Sequence, residues 1–333
     1  MKAFIVDRYG KGNGVLLGEM PEPALRDDDV LIEVHAASVN PVDLKIRDGM
    51  FKRFLPYRLP FILGSDLAGV VVKVGSRVRR FKLGDEVYAQ SDQDRIGAFA
   101  EFIAIREDGV AIKPKTLTME DAASIPLVGL TAWQVLIERA GLKKGQKVLI
   151  HAGSGGVGTF AIQLAKHLGA TVATTTSTAN VDLVKSLGAD IIVDYKKDDF
   201  ENVLSDYDVV LNSLDKDTLE KSVRMLKPGG KLISISGPPD PAFAESIGAN
   251  WVMRLAIRLL SYRIRKKAER RHASYSFLFM RSSGEQLREI ASLIDSGIIR
   301  PVVDTVFPFE STKEALAYVE KGRAKGKVIV KVR

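Results

Sequence analysis

Six residues near the middle of the chain carry the clearest chemistry. Gly153-Ser154-Gly155-Gly156-Val157-Gly158 follows the apolar run Val148-Leu149-Ile150. The next segment has apolar residues at Val157, Phe160, Ala161, Leu164, Ala165 and Leu168, spaced 3, 1, 3, 1 and 3. Such spacing puts them on one helix face. The glycines therefore join a strand to a helix, the setting in which such a cluster cradles a dinucleotide pyrophosphate. Gly153 is expected to make the tight turn, Gly155 to let the backbone approach the phosphates, and Gly158 to let helix pack closely on strand. The helix N-terminus adds unpaired N–H groups and partial positive charge. A glycine turn chosen only for packing is the plainer alternative, and the strand–loop–helix context weighs against it.

The end of the following strand discriminates between nucleotides. NAD sites carry an acid about 20 residues beyond the loop, for the ribose hydroxyls. Here residues 174–178 read Thr-Thr-Thr-Ser-Thr, and the next acid is Asp182. Hydroxyls can donate to a 2′-phosphate that a carboxylate would repel, which favours NADP(H). No arginine or lysine stands in this stretch, but Lys196, beside Tyr195 after the third strand, can supply charge. Cysteine is absent, which excludes thiolate nucleophiles, disulfides and sulfur-based zinc sites. The four histidines, His35, His151, His167 and His272, are widely spaced and form no ligand pair. His35 and His151 fall in apolar strands, where a hydrogen-bonded structural role is expected.

The surrounding elements read as two kinds of structure. Runs rich in Val, Ile and Phe at 3–7, 30–39, 69–74, 86–89, 99–105 and 110–113 predict strands, with one short helix at 41–48. A mostly antiparallel β domain follows. Thr118-Met119-Glu120-Asp121 resembles a capping box opening a long helix to Ala140, which Gly141 can end. Predicted strands at 147–151, 171–176, 191–193, 208–211 and 231–235 then alternate with helices at 157–168, 181–187 and 219–226. That alternation predicts a parallel sheet covered on both faces. Beyond it come a helix at 251–271, a strand at 275–280, capping boxes at Ser283 and Ser311, and a last strand at 327–332 able to return to the β domain.

With 333 residues, 46% hydrophobic and 27% charged, the chain has the make-up of a globular protein of one large or two middling domains. No uncharged run approaches the length of a membrane span and no signal peptide is read, so a cytoplasmic location is the expectation. Net charge is +8. Arg254, Arg258, Arg263, Arg265, Lys266, Lys267, Arg270 and Arg271, against Glu269 alone, hold most of it. A solvated helix is the plainer reading of this segment. The alternative is weak contact with an acidic membrane surface, with Trp251, Val252, Leu255 and Leu259 partly inserted. No nucleic-acid motif accompanies the charge, so no nucleic-acid partner is expected.

The order of motifs resembles that of the zinc-independent branch of the medium-chain dehydrogenase/reductase superfamily, the quinone oxidoreductase-like enzymes. The markers span nearly the whole chain: 37–43 (ASVNPVD), 64–69 (GSDLAG), Val74-Gly75 with 84–87 (GDEV), 126–132 (PLVGLTA), 152–158 (AGSGGVG) and 322–328 (GRAKGKV). The C-terminal third, with 277–280 (FLFM) and 299–302 (IRPV), looks closest to the bacterial and mitochondrial group that includes the reticulon-4-interacting oxidoreductase.

The resemblance implies an α/β chain: a GroES-like β-rich catalytic domain over residues 1–122 and 276–333, a Rossmann cofactor domain over 123–275, and an active site in the cleft between them. It implies hydride transfer from NADPH to a quinone or α,β-unsaturated carbonyl, with homodimers common among relatives. A non-catalytic NADPH-binding sensor or scaffold of the same fold is the rival reading. Zinc-dependent relatives carry Gly-His-Glu and cysteine ligands; here the matching positions hold Gly64-Ser65-Asp66 and Asn40, so no zinc is expected. By resemblance, Asn40 and Thr131 line the nicotinamide end, Ser154, Gly155, Gly156 and Val157 hold the pyrophosphate, Ser177 and Tyr195 hold the 2′-phosphate, and Phe279 closes over the ring. Relatives often carry a tyrosine where this chain has Phe51. Asn40, Lys45 and Tyr57 are then the catalytic candidates, with Asp43 also near and solvent the remaining proton source.

Overall fold

The computed structural model describes every residue except Asn13, Arg53, Phe54 and Pro56. It divides into a first unit, Met1–Leu130 with Arg281–Arg333, and a second, Thr131–Met280. The first unit opens with β1 (Lys2–Val6), β2 (Val15–Glu19), β3 (Asp29–Val39), α1 (Pro41–Arg47), β4 (Phe61–Ile62), β5 (Asp66–Val74), β6 (Glu86–Gln90), β7 (Phe102–Arg106), β8 (Val110–Ile112) and α2 (Met119–Ala123). Helix α3 (Pro126–Trp133) carries the chain into the second unit. That unit continues with β9 (Lys147–Ile150), α4 (Gly156–His167), β10 (Thr171–Thr176), α5 (Val181–Ser186), β11 (Ile191–Asp194), α6 (Phe200–Val203), β12 (Tyr207–Asn212) and α7 (Lys216–Ser222). It closes with β13 (Leu226–Ser234), α8 (Pro241–Ser246), α9 (Trp251–Glu269) and β14 (Ser274–Phe277). The chain then returns to the first unit as α10 (Gly284–Asp295), β15 (Val303–Pro308), α11 (Thr312–Glu320) and β16 (Lys327–Lys331).

In the first unit β3 is central. It pairs antiparallel with β5, β7 and β16, and its apolar residues from Val30 to Val39 are buried with Leu67, Val71, Val87, Ile103, Val328 and Val330. Register matters more than content here. Ser38 lies opposite Asp66, Val39 opposite Val328, and Asp66 opposite Gln90. Asn40, Asp66 and Lys327 therefore arrive at the same end of one sheet from distant stretches of sequence. Gly64 feeds the chain into β5 with φ +94°, and a Cβ there would lie 2.8 Å from the Phe99 ring.

The second unit is a six-stranded parallel sheet ordered β11-β10-β9-β12-β13-β14. The order runs one way from β9 to β11 and the other way from β12 to β14. Between β9 and β12 lies a switch point, and ligands of such sheets bind at the carboxyl ends of the strands there. Leu149, Val210, Leu232 and Tyr275 of the sheet pack with Phe200, Leu219, Ile264 and Ala268.

Local expectations were corrected in several places. The long helix ending at Ala140 is broken: α2 stops at Ala123, Pro126 starts α3, and Gln134–Arg139 is a π-helix. Proline has no N–H to continue the earlier helix. Strands β2, β4 and β15 carry too little alternation to be read beforehand. Ser283 caps α10 by accepting from the Gln286 N–H (3.3 Å), whereas the Ser311 side chain makes no cap bond.

Candidate functional site

Two constellations carry chemistry, one in each unit. In the second, the turn after β9 leads into α4, with Gly155 as N-cap. The left-handed backbone of this turn falls on Ala152 (φ 54°). Gly153 is required for another reason: a Cβ would lie 2.1 Å from Thr174 Oγ1. At Gly158 a Cβ would lie 2.3 Å from the Ala152 carbonyl oxygen, so its absence sets how closely α4 packs on the turn. Gly155 is different. Its φ is −82°, and a Cβ would meet only the Ala152 oxygen, at an ordinary 3.4 Å. The protein itself does not demand glycine there, and the space suits a phosphate against the α4 N-terminus.

Neighbouring strand ends complete this edge. Thr176 of β10 pairs with Asp194 of β11, and the Tyr195 N–H donates to the Thr176 oxygen (3.0 Å). Asn180 Nδ2 donates to Ser154 Oγ (3.1 Å) and Ser177 Oγ (3.3 Å), tying the glycine turn to the end of β10. Thr176 Oγ1 also donates to Ser154 Oγ (3.1 Å). Asp194 is engaged by the Thr178 hydroxyl (2.5 Å) and the Lys196 N–H (3.0 Å), and the hydroxyl bond in particular holds its carboxyl below the ordinary value. The Lys196 ammonium lies 5.5 Å from the centre of the exposed Tyr195 ring. Two buried amide atoms lack partners around this edge: Asn180 Oδ1, and Asn212 Nδ2 at the end of β12. They are an acceptor and a donor of the kind a nucleotide's hydroxyls and phosphates need, so these residues fit the group that the motif implies. Neither asparagine was singled out by sequence, since both sit outside the glycine motif.

His151 is buried, with one ring nitrogen on Thr175 Oγ1 (3.2 Å) and the other on Ser222 Oγ (2.9 Å). Burial pushes it down to about 4, so it is neutral and structural. Thr131 is buried in α3. Phe279 meets Phe243 edge-on (5.6 Å between ring centres) and stacks with Phe277 (6.5 Å).

The first unit's constellation is a buried charge cluster. Asn40 precedes α1, and Asp43 reaches back to accept from the Asn40 N–H (2.7 Å). The Asn40 amide has no free side: Lys327 Nζ donates to its Oδ1, and its Nδ2 donates to Asp66 Oδ2 (2.9 Å). Asp66 Oδ2 also accepts from Ser38 Oγ (2.9 Å), and its Oδ1 accepts from the Leu127 N–H in the first turn of α3 (2.9 Å). Lys327 Nζ stands 3.4 Å from Asp66 Oδ2. Burial raises Asp66 above and lowers Lys327 below their ordinary values, each against the attraction of the other. Asp43, fully enclosed and with Oδ1 unpartnered, is pushed up to about 7, chiefly by burial. Ser65 Oγ, Ser91 Oγ and Gln90 Oε1 are likewise buried without partners at this end of β5 and β6.

One ammonium thus contacts both Asn40 and Asp66. Among the described residues no group of three or more His, Cys, Asp or Glu could hold a metal ion. Lys45 is half-buried in α1. Tyr57 packs on Phe61 (4.9 Å) and its hydroxyl donates to the Gln93 carbonyl oxygen. Burial raises its ionisation well above the ordinary phenol value, so it is a poor proton donor. Phe51 packs against the first unit's core.

Known proteins resemble this chain over most of its length. A family model described as "Alcohol dehydrogenase GroES-like domain" matches residues 26–115, and one described as "Zinc-binding dehydrogenase" matches 187–330. The chain is 38% identical to an NADPH-dependent alkenal/one oxidoreductase of Arabidopsis thaliana, over 99% of this chain and 79% of that protein. It is 35% identical to the mitochondrial NAD(P)H oxidoreductase RTN4IP1 of Danio rerio, over 100% and 91%. The structure of a quinone oxidoreductase from Coxiella burnetii superposes with a TM-score of 0.88 at 32% identity, over 100% and 99%. The GroES-like and Rossmann-like units expected from the motif order are those observed, and the chain belongs to the zinc-independent, quinone oxidoreductase-like family of medium-chain dehydrogenases/reductases.

Proposed function

We propose that the chain reduces quinones and α,β-unsaturated carbonyls with NADPH and without a metal. The observation that carries this reading is the open space over Gly155 at the α4 N-terminus, where the backbone can meet a pyrophosphate and no internal side chain needs the room. Gly153, Ser154, Gly155, Gly156 and Val157 form that cradle. Ser177, Tyr195 and Lys196 would take the 2′-phosphate, with Asn180 Oδ1 accepting from a ribose hydroxyl. Thr131 and Phe279 are assigned to the nicotinamide end. The names of the Arabidopsis and Coxiella proteins support the acceptor class, and the former supports NADPH.

NADPH supplies a hydride when bound; the chain must then stabilise charge growing on the acceptor oxygen. Conjugated acceptors spread that charge, so hydrogen-bond donors suffice in place of a Lewis acid. Asn40 acts as a positioning residue, because its amide is committed to Lys327 and Asp66. Neither Lys45 nor Tyr57 is needed as an acid if solvent protonates the product.

The test is NADPH consumption against a panel of quinones and enals, with metal analysis of the purified protein. Turnover that prefers NADPH to NADH and survives chelation is expected. Tight NADPH binding without turnover of any acceptor would leave a nucleotide-binding sensor or scaffold instead.

A further inference from the structure

We propose that α9 lies in the plane of an anionic lipid bilayer, its first three turns at the boundary between headgroups and acyl chains. The helix buries one narrow face, Ile257, Ser261, Ile264 and Ala268, against its own unit. Its opposite face is apolar as well, and open to solvent. Trp251 is 76% exposed, Leu259 66% and Leu260 63%, and Val252, Leu255 and Tyr262 are also exposed. At about 100° per residue these side chains cover roughly half the circumference, centred opposite the buried face. Single exposed apolar residues need no explanation, but six within one helix face mark a surface built for contact.

Charge selects the partner. Among the described residues, only Glu220 and Glu269 form ion pairs with cations of this helix: Glu220 with Lys267 and Arg263, Glu269 with Lys266. Arg254, Arg258, Arg265, Arg270 and Arg271 face no carboxylate in those pairings. A second copy of the chain would cover the apolar turns but offer no anion to the arginines beside and beyond them. A nucleic acid would leave the apolar turns uncovered. An anionic bilayer satisfies both halves: the apolar turns enter the acyl boundary and the arginines meet lipid phosphates. Trp251 and Tyr262 are the side-chain types that favour that boundary. No helix of the described residues is long and apolar enough to cross a membrane, so contact in the plane is the mode that fits.

The experiment is flotation of the full chain with vesicles of phosphatidylcholine alone and of phosphatidylcholine mixed with phosphatidylglycerol. A Trp133→Phe background leaves Trp251 to report its own environment. Binding to the anionic vesicles only is expected, with a blue shift of Trp251 emission and weakening by salt. Leu255→Ser/Leu259→Ser/Leu260→Ser should abolish binding while leaving circular dichroism and NADPH turnover unchanged. Arg258→Gln and Arg263→Gln should each weaken it roughly fivefold. Equal binding to both vesicles, or to neither, overturns the proposal. So does lipid-free self-association that the triple variant removes, since that would make a second copy the occupant.

Discussion

Lys327→Met tests whether one ammonium is what makes the Asp66 carboxylate tolerable inside the first unit. Nζ and Oδ2 are 3.4 Å apart, an attraction of about 5 kcal/mol at an effective dielectric constant of about 20. Both side chains are buried, so water cannot replace the lost partner. Removing one member of such a pair typically costs about 3–5 kcal/mol. Asp66 would keep Ser38 Oγ, Asn40 Nδ2 and the Leu127 N–H, so the lower end, about 3 kcal/mol, is expected. Methionine preserves length without charge. Urea unfolding should be followed by far-ultraviolet circular dichroism and by hydrogen exchange of β3, β5 and β16. Tryptophan emission is unsuitable, because Trp133 and Trp251 both belong to the second unit. In the variant Asp66 rises further above its unfolded value. Its contribution is then present at low pH and lost as pH climbs, so the deficit should shrink on acidification. Adding Asp66→Asn should restore most of the loss. A single variant within about 0.5 kcal/mol of the parent, or a strictly additive double variant, would refute the pairing.

Three further outcomes are expected. Gly155→Val should lose no more than about 1 kcal/mol of stability, valine being a poorer N-cap than glycine, yet bind NADPH at least about tenfold more weakly, a loss of about 1.4 kcal/mol, whereas Gly158→Val should destabilise the second unit far more; titration calorimetry and thermal melts separate the two, and equal effects on both would contradict the assignment of space. Ser177→Asp should move the NADPH:NADH preference towards NADH by repelling the 2′-phosphate, and an unchanged ratio of kcat/KM values counts against that residue. Asp43 is raised to about 7, so its protonated form contributes stability that is complete below the unfolded carboxylate value and is lost as pH rises to about 7, by up to roughly 4 kcal/mol. Asp43→Asn, which keeps an acceptor for the Asn40 N–H, should flatten the urea midpoint across that interval; parallel pH profiles would show that Asp43 ionises freely in the folded chain.

The glycine turn and the elements that flank it were legible because their parts are contiguous. Six residues, the apolar strand before them and the spaced apolar face after them specify strand, turn and helix within one short stretch. What the motif does not carry is the left-handed conformation of Ala152 and the crowding of Gly153 by Thr174, which comes from the neighbouring strand. The charge cluster was not legible, for a physical reason. Lys327 stands among several cations of a basic tail, and nothing in its neighbours marks it as buried. Only the pairing of Val328 with Val39 and of Ser38 with Asp66 brings it onto Asn40 and Asp66, partners hundreds of residues earlier. A lysine heading an apolar strand was the one available signal. Tyr57 shows the converse: proximity in sequence offered it as an acid, while its hydroxyl was already spent on a carbonyl. The cluster also ties folding to electrostatics. The carboxylate that begins β5 is compensated by a charge that arrives with the last strand, so Asp66 gains its ammonium partner only where β16 pairs with β3.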